Sequence, residues 1–275
     1  TSGRRMIVES LTAAKRPLSI PEILETTTGL AQSSAYRNLT VLENAGVVVR
    51  VITTDEWARG VAQRISQCLQ AGIAARGVAV LAVSGGRSPG PIFQRLREAE
   101  LAWDKVIVTL VDERWVPDGH ADGNASLVRR MLLQGPAEAA RFLPWVNDAA
   151  TPQAGRAYCD AALRALPLPF DCVVLGMGED GHTASLFPDA PELADAIGLN
   201  TAALCWPITP PVAAHARMTL TLNALLRESR QLILAISGKA KRGVYERARI
   251  RRSEALPVSL VLHQDQCPVD VWIED

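Results

Sequence analysis

The 275-residue chain has no charge excess: Lys and Arg number 29, and Asp and Glu number 29. That balance excludes a global basic surplus for nucleic acid and an acidic surplus typical of a solvating tail. Long apolar runs are missing too. None reaches the ~18 residues that a membrane-spanning helix requires. The start, Thr1-Ser2-Gly3-Arg4-Arg5, lacks the apolar stretch of a signal peptide. The expectation is a soluble, cytoplasmic protein with no membrane partner. Cysteine is sparse. Cys68, Cys159, Cys172, Cys205 and Cys267 are odd in number, scattered, and never at metal-ligand spacing. This predicts reduced core thiols rather than a disulfide framework. Of four histidines, His120, His215 and His263 show no partner pattern, so no metal site is expected. Internal repeats and low-complexity tracts are absent. No Walker loop or GxGxxG fingerprint occurs, so nucleotide binding is not indicated and no cofactor is expected.

What is present is apolar mass, 48% of the residues, enough for a sizeable core. The length suits one large α/β domain with an appendage. Residues 4 to about 46 read as short helices with tight turns. From about residue 47 apolar strands alternate with amphipathic helices. The expected division is therefore 1–46 and 47–275. Val47–Ile52 is a β-branched run and reads as a strand. Thr53 and Glu56 have capping-box spacing, and a helix follows to about Ala75, its face Trp57, Val61, Ile65 and Leu69 recurring every four residues. Val78–Val83, Val106–Val111, Cys172–Leu175 and Gln231–Ile236 read as further strands, with a helix starting at Pro91. Strands that feed helices imply a mostly parallel sheet with ligand loops at the strand C-termini.

Five loops carry groups suited to anions or proton transfer. Ser84-Gly85-Gly86-Arg87-Ser88-Pro89 joins a strand to a helix. Its glycines let the backbone approach an anion, the helix start offers free N–H groups, and Ser88 adds a hydroxyl. An ordinary βα turn is the competing explanation. Asp112-Glu113-Arg114 puts three charges at the end of a buried strand, where packing does not need them. The Arg114 guanidinium could fork onto a phosphate, and Asn124 could reach the same crevice; a salt-bridged strand end is the alternative. Asp180-Gly181-His182 follows an apolar strand and the turns at Gly176 and Gly178. Histidine titrates near neutrality, so His182 can take a proton from water, and Asp180 is close enough to orient its ring. Arg217 opens a strand-like run, and Lys241 lies at a helix start where it can reach an anion. Each of those cations could equally be solvated. Converging strand ends are harder to explain by chance than any single loop.

Four ordered motifs then carry a resemblance: Ser84–Pro89, Leu110–Pro117, Leu175–Pro188 and Arg217–Thr221. Over residues 47–275 the chain resembles the 6-phosphogluconolactonase family. The resemblance implies a doubly wound α/β fold related to glucosamine-6-phosphate deaminase, no metal, and a phosphosugar lactone as substrate. It implies hydrolysis of the δ-lactone of 6-phosphogluconate in the oxidative pentose phosphate pathway. His182 would be the base that activates water, with Asp180 supporting it. The Gly85-Gly86 backbone, Arg114, Arg217 and Lys241 would bind the phosphate or the oxyanion. Arg87 departs from the family's Gly-Gly-Ser-Thr-Pro loop and could add a phosphate contact or point to solvent.

The front end is similar to something else. Leu18–Ile23 reads as the first helix of a helix-turn-helix, and Ser33–Val48 resembles the recognition helix and first wing strand of the ferric uptake regulator family. Ser34, Tyr36 and Arg37 would then face DNA. Six basic side chains against four acidic ones are thin for phosphate contacts. No metal-rich segment or dimerisation domain follows. A helical cap without DNA function is the alternative. Two other functions compete with the lactonase: a transcription regulator with a phosphosugar-sensing domain, and a deaminase-type isomerase. The first would not need Asp180 and His182 in a proton-transfer motif. Arg114-Trp115 and Thr183–Pro188 favour the lactonase over the second.

Overall fold

The computed structural model describes residues 2–14, 18, 20–27, 29–31, 34–35, 38–39, 54–86 and 88–274. The chain divides into two compact units, 1–52 and 53–275. In the first unit, helices α1 (Ser2–Ala14) and α2 (Ile20–Thr26) bury Ile7 and Ile23, with Val8, Leu11, Leu18, Leu30 and Leu39 packed around them. Helix α2 takes in residues 20–23 of the expected Leu18–Ile23 helix and runs on to Thr26; Leu18 lies before it. The predicted strand at 47–52, and Thr53 of the capping box, lie outside the described residues.

The second unit runs α3 (Thr54–Arg76), β1 (Ala79–Val83), α4 (Pro89–Leu96), β2 (Val106–Leu110), β3 (Asp112–Arg114), α5 (Asn124–Met131), β4 (Arg141–Phe142), α6 (Pro152–Arg164), β5 (Cys172–Leu175), α7 (Leu193–Ala196), β6 (Cys205–Ile208), β7 (Arg217–Leu220), α8 (Leu222–Arg227), β8 (Leu232–Ser237), α9 (Lys239–Ala248), α10 (Val258–Leu262) and β9 (Val269–Glu274). Six strands form one sheet in the order β4-β2-β1-β5-β8-β9, every neighbouring pair parallel. The chain moves outward from β1 through β2 to β4, then returns to β5 and moves the other way. Right-handed crossovers in opposite directions place helices on opposite faces of the sheet. The central strands are therefore covered on both sides, and β1, β2 and β5 are buried along their whole length.

The helix seam read at Trp57, Val61, Ile65 and Leu69 is wholly buried. Helix α4 begins at Pro89 rather than Pro91. Proline suits the first helical turn, where its missing N–H costs nothing, and the helix therefore starts as soon as the loop allows. Thr151 and Thr221 cap α6 and α8 by accepting from the N–H groups of Ala154 and Ala224 at 3.2 and 3.1 Å.

One correction concerns topology. Asp112–Arg114 and Arg217–Leu220 do not belong to the parallel sheet. They pair antiparallel as β3 and β7, and with β6 they make a separate three-stranded sheet. The five chemical loops are thus not five ends of one sheet. Strands β3 and β6 are too short and too polar or proline-interrupted to show an alternating apolar pattern.

Asp171, just before β5, ties the two strands at the sheet's centre to α3. Its carboxylate is buried. It accepts from Arg76 Nη2 at 2.5 Å and from the Val80 N–H at 2.8 Å. Helix α3 passes close at Gly72, where a Cβ would stand 2.4 Å from Asp171 Oδ1. Gly72→Ala therefore forces the carboxylate off its partners. It is expected to lower unfolding free energy by ~1–3 kcal/mol, read from urea denaturation followed by circular dichroism.

Candidate active site

The strand order reverses between β1 and β5, and the loops leaving their C-termini part there, opening a crevice. A cleft of about 180 Å³ occupies this point. Its floor is built by Ser84, whose hydroxyl donates to the Val174 carbonyl at 3.0 Å and accepts from the Gly176 N–H at 3.2 Å, stitching the ends of β1 and β5. Gly85, Gly86, Ser88, Asp112, Arg114, Asn124, His182 and Lys241 all line it. Asp180 and Arg217 do not. Arg87, Tyr36 and Arg37 lie outside the described residues, whereas Ser34 begins a short helical turn in the first unit.

The loop after β5 is pinned before it reaches His182. Thr183 Oγ1 donates to the Gly176 carbonyl at 2.8 Å, and the Gly178 N–H donates to the His182 carbonyl at 2.8 Å. His182 Nδ1 lies 2.6 Å from Asp180 Oδ1, which also accepts the His182 backbone N–H at 3.1 Å. Phe187 packs on the imidazole at a centroid distance of 4.3 Å. With the Nδ1 proton on the carboxylate side, Nε2 keeps its lone pair. Partial burial raises the Asp180 carboxyl, but the hydrogen bonds and charge of His182 outweigh it and hold Asp180 below the usual carboxylate range. Asp180 is thus an ionised partner behind the ring. Gly178 makes room for this pair: a Cβ there would stand 2.2 Å from His182 Nδ1 and 2.4 Å from Asp180 Oδ1.

Opposite His182 stands a buried polar network. Asp112 Oδ2 accepts from Ser185 Oγ at 2.6 Å, and Asn124 Nδ2 donates to the Asp112 carbonyl at 2.8 Å. The Ser185 N–H in turn donates to Thr219 Oγ1 at 3.1 Å. Glu113 corrects the expectation that these charges are not needed for packing. It is buried and accepts from the N–H groups of Arg114, Asn124 and Ala125 at 2.7, 2.6 and 2.7 Å, capping α5. Burial pushes its carboxyl above the ordinary range, against the pull of those three donors. Asn124 Oδ1 is buried without a hydrogen-bond partner among the described residues. It faces Gly85, where a Cβ would stand 1.8 Å away.

Cations gather along one side. Arg114 and Arg217 are register partners on β3 and β7. Arg217 is buried, its Nη1 has no hydrogen-bond partner among the described residues, and burial together with the Arg114 charge pushes its pKa down to about 10. An anion near this pair would relieve both effects. Ser88 Oγ lies 3.2 Å from Ser237 Oγ and accepts from Lys241 Nζ at 3.4 Å, joining the glycine loop to the start of α9.

The structure therefore assembles eight of the eleven predicted second-unit site residues around one cleft. Asp180 is held behind His182, and Arg217 pairs with the cleft-lining Arg114 across β3 and β7. The sequence reading missed Gly178 as the spacer for the histidine, Ser185 as the tie to Asp112, and Glu113 as a helix cap. Gly178 had a signal, its place in a Gly-x-Gly turn. The other two depend on distant partners. Two outcomes are expected. Gly178→Ala displaces the imidazole, read as changed His182 ring NMR chemical shifts in a protein whose melting temperature is nearly that of wild type. Glu113→Ala strands three N–H groups and lowers stability by roughly 2–3 kcal/mol, read from urea denaturation.

The family described as glucosamine-6-phosphate isomerases/6-phosphogluconolactonase matches residues 52–272. A 6-phosphogluconolactonase of Pseudomonas aeruginosa is 45% identical over 198 residues, which cover 72% of this chain and 83% of its own. One from Mesorhizobium japonicum is 44% identical over 215 residues, 78% of this chain and 90% of its own. The crystal structure of a 6-phosphogluconolactonase from Shewanella baltica aligns with a TM-score of 0.78 at 41% identity, covering 81% of this chain and 95% of that one. With the cleft, its histidine–aspartate pair and these likenesses together, the chain belongs to the glucosamine-6-phosphate isomerase/6-phosphogluconolactonase family.

Proposed function

We propose that the chain hydrolyses 6-phospho-D-glucono-1,5-lactone to 6-phosphogluconate, with the catalytic domain spanning 47–275. The observation that carries this reading is the 2.6 Å contact between His182 Nδ1 and Asp180 Oδ1 at a cleft also lined by Ser88, Arg114 and Lys241. It joins a water-activating base to an anion-binding wall. The names of the relatives support the choice of substrate.

His182 Nε2 takes a proton from a water as its oxygen attacks the lactone carbonyl carbon. The carbonyl oxygen becomes an oxyanion, and the imidazolium is stabilised by Asp180. Collapse of the tetrahedral intermediate breaks the bond from that carbon to the ring oxygen, which takes the proton back from Nε2. One water is consumed, the ring opens to an acid and an alcohol, and the histidine is regenerated. Arg114, Arg217, Lys241, Ser88 and the N–H groups at Gly85 and Gly86 hold the phosphate or the oxyanion. Asp112 and Asn124 face the sugar.

Acid release from freshly prepared lactone, measured above the spontaneous rate, tests the reading; a folded protein that gives no acceleration refutes it. His182→Ala is expected to lose ~10²–10⁴-fold in kcat with its circular dichroism and melting curve unchanged. Asp180→Asn is expected to fall nearly as far, because the amide leaves the imidazolium without a counter-charge.

For residues 1–46 we propose a truncated winged-helix-like segment that acts as a helical cap; Ser34, Tyr36 and Arg37 are the residues that would face DNA if it bound. Helix α2 (Ile20–Thr26) and the helical turn at Ser34 and Ala35 support the helical part of that reading. A gel shift on promoter fragments checks it. Retardation lost at modest salt without sequence preference supports the cap, and sequence-selective retardation that survives physiological salt overturns it in favour of DNA binding.

A further inference from the structure

Two of the three histidines expected to show no partner pattern, His120 and His215, meet at Asp122, whose carbonyl accepts from the cleft-lining Arg114. His215 Nε2 lies 3.0 Å from Asp122 Oδ2. The Asp122 N–H donates to His120 Nδ1 at 3.1 Å, and the His120 and His215 rings meet edge to face at 5.8 Å. Among the described residues, no group of three His, Cys, Asp or Glu is arranged to hold a metal ion. The cluster therefore needs another explanation.

Its place in the chain supplies one. Arg114 ends β3 and Arg217 begins β7, and the two are register partners. The pairing continues one step outward, where the Trp115 N–H donates to the Ala216 carbonyl at 2.9 Å. Beyond it the strands part into two loops, one carrying Asp122 and the other ending at His215. The Asp122–His215 contact closes those loops over the arginine pair. Asp122 also accepts Arg114 Nη1 on its backbone carbonyl. The same residue thus fixes one guanidinium with its carbonyl and grips the opposite loop with its carboxylate. His215 is held in the left-handed region at φ 67°, a conformation that a non-glycine residue adopts at a cost and that here turns its ring toward Asp122.

Two adjacent guanidiniums repel each other, and Arg217 is in addition buried. Asp112, Glu113 and Asp122 offset part of that repulsion, and the pair still has to be held in one geometry before the ligand arrives. The groups facing the bridge are Arg114, His120 and Arg217, and the His215 hydrogen bond holds the Asp122 carboxyl below its usual range.

We propose that Asp122 and His215 are positioning residues that clamp the Arg114–Arg217 pair in its anion-binding geometry, with His120 buttressing the His215 ring. Neither touches the reacting atoms. The bridge rests on the reading above that this arginine pair receives the substrate phosphate. It sets affinity for the phosphorylated ligand and leaves the proton transfer at His182 alone.

The test compares wild type, His215→Ala and His215→Gln by calorimetric titration with 6-phosphogluconate and with unphosphorylated gluconate, alongside lactone hydrolysis. His215 sits in a surface loop, so neither substitution endangers the fold. Because the bridge is partly exposed, its loss is expected to weaken 6-phosphogluconate binding and raise KM by roughly fivefold. The kcat and the affinity for gluconate are expected to stay within about twofold of wild type. His215→Gln, which keeps a donor at similar reach, is expected to recover most of the loss. The bridge is overturned if His215→Ala binds 6-phosphogluconate as wild type does, if kcat falls as much as KM rises, or if wild type binds 6-phosphogluconate no better than gluconate. A wild type that binds 6-phosphogluconate selectively but hydrolyses no lactone refutes the hydrolase reading. In that case the loss of binding in His215→Ala still supports the clamp.

Discussion

Parallel strands β1 and β5 are neighbours, yet the chain leaves them in opposite directions. That reversal of winding is the constraint on which the rest depends. No crossover can pass over the C-terminal ends of both strands, so the backbone there has no covering layer. The loops after β1 and β5 must satisfy their polar groups among themselves or from a ligand. Ser84 takes up part of this demand by bridging the Val174 carbonyl and the Gly176 N–H. What is left over, the glycine backbone and the mouth of the cleft, is what an anionic ligand can use.

A second layer of order comes from buried polar groups rather than from apolar packing. Asp112, Glu113, Asn124 and Ser185 are all buried. Such groups are tolerated only when their hydrogen bonds are made. Each side chain therefore dictates the place of another: Ser185 holds the histidine loop against β3, and Glu113 holds the start of α5, which brings Asn124 to Gly85. Two of the buried atoms that break the pattern, Asn124 Oδ1 and Arg217 Nη1, belong to residues at the site. An unmade bond at such a depth is costly, and a polar anionic ligand is the natural partner for the guanidinium.

The four inner strands of the central sheet were legible in the sequence; its edge strands β4 and β9 were not. Strands buried on both faces must be apolar at every position, and Val78–Val83, Val106–Val111, Cys172–Leu175 and Gln231–Ile236 read as such to within a residue or two. The α3 seam was legible for the same reason, since a helix one side of which is buried repeats its apolar residues every turn. The second sheet was not. Asp112–Arg114 is charged, and Cys205–Ile208 contains a proline, so neither has a strand's local pattern. Their pairing comes from β7, far along the chain. The site residues divide in the same way. His182, Asp180 and the glycine loop sit in compact motifs where turn chemistry is local. Glu113 and Ser185 looked like spare polar groups, because the partners that employ them are elsewhere in sequence.

The amino-acid sequence by itself determined the inventory: which loops carry a base, a carboxylate, glycines or cations, and in what order they alternate with apolar strands. Short-range forces act over one turn or one pleat, so such patterns are written locally. Only the tertiary structure decided which atoms meet. It set Asp180 behind His182 with Gly178 as the spacer and placed Arg114 opposite Arg217 across an antiparallel ladder. It also turned His215, an unremarked histidine, into the partner of Asp122. Register and burial are collective properties of the packed chain, and no single segment encodes them.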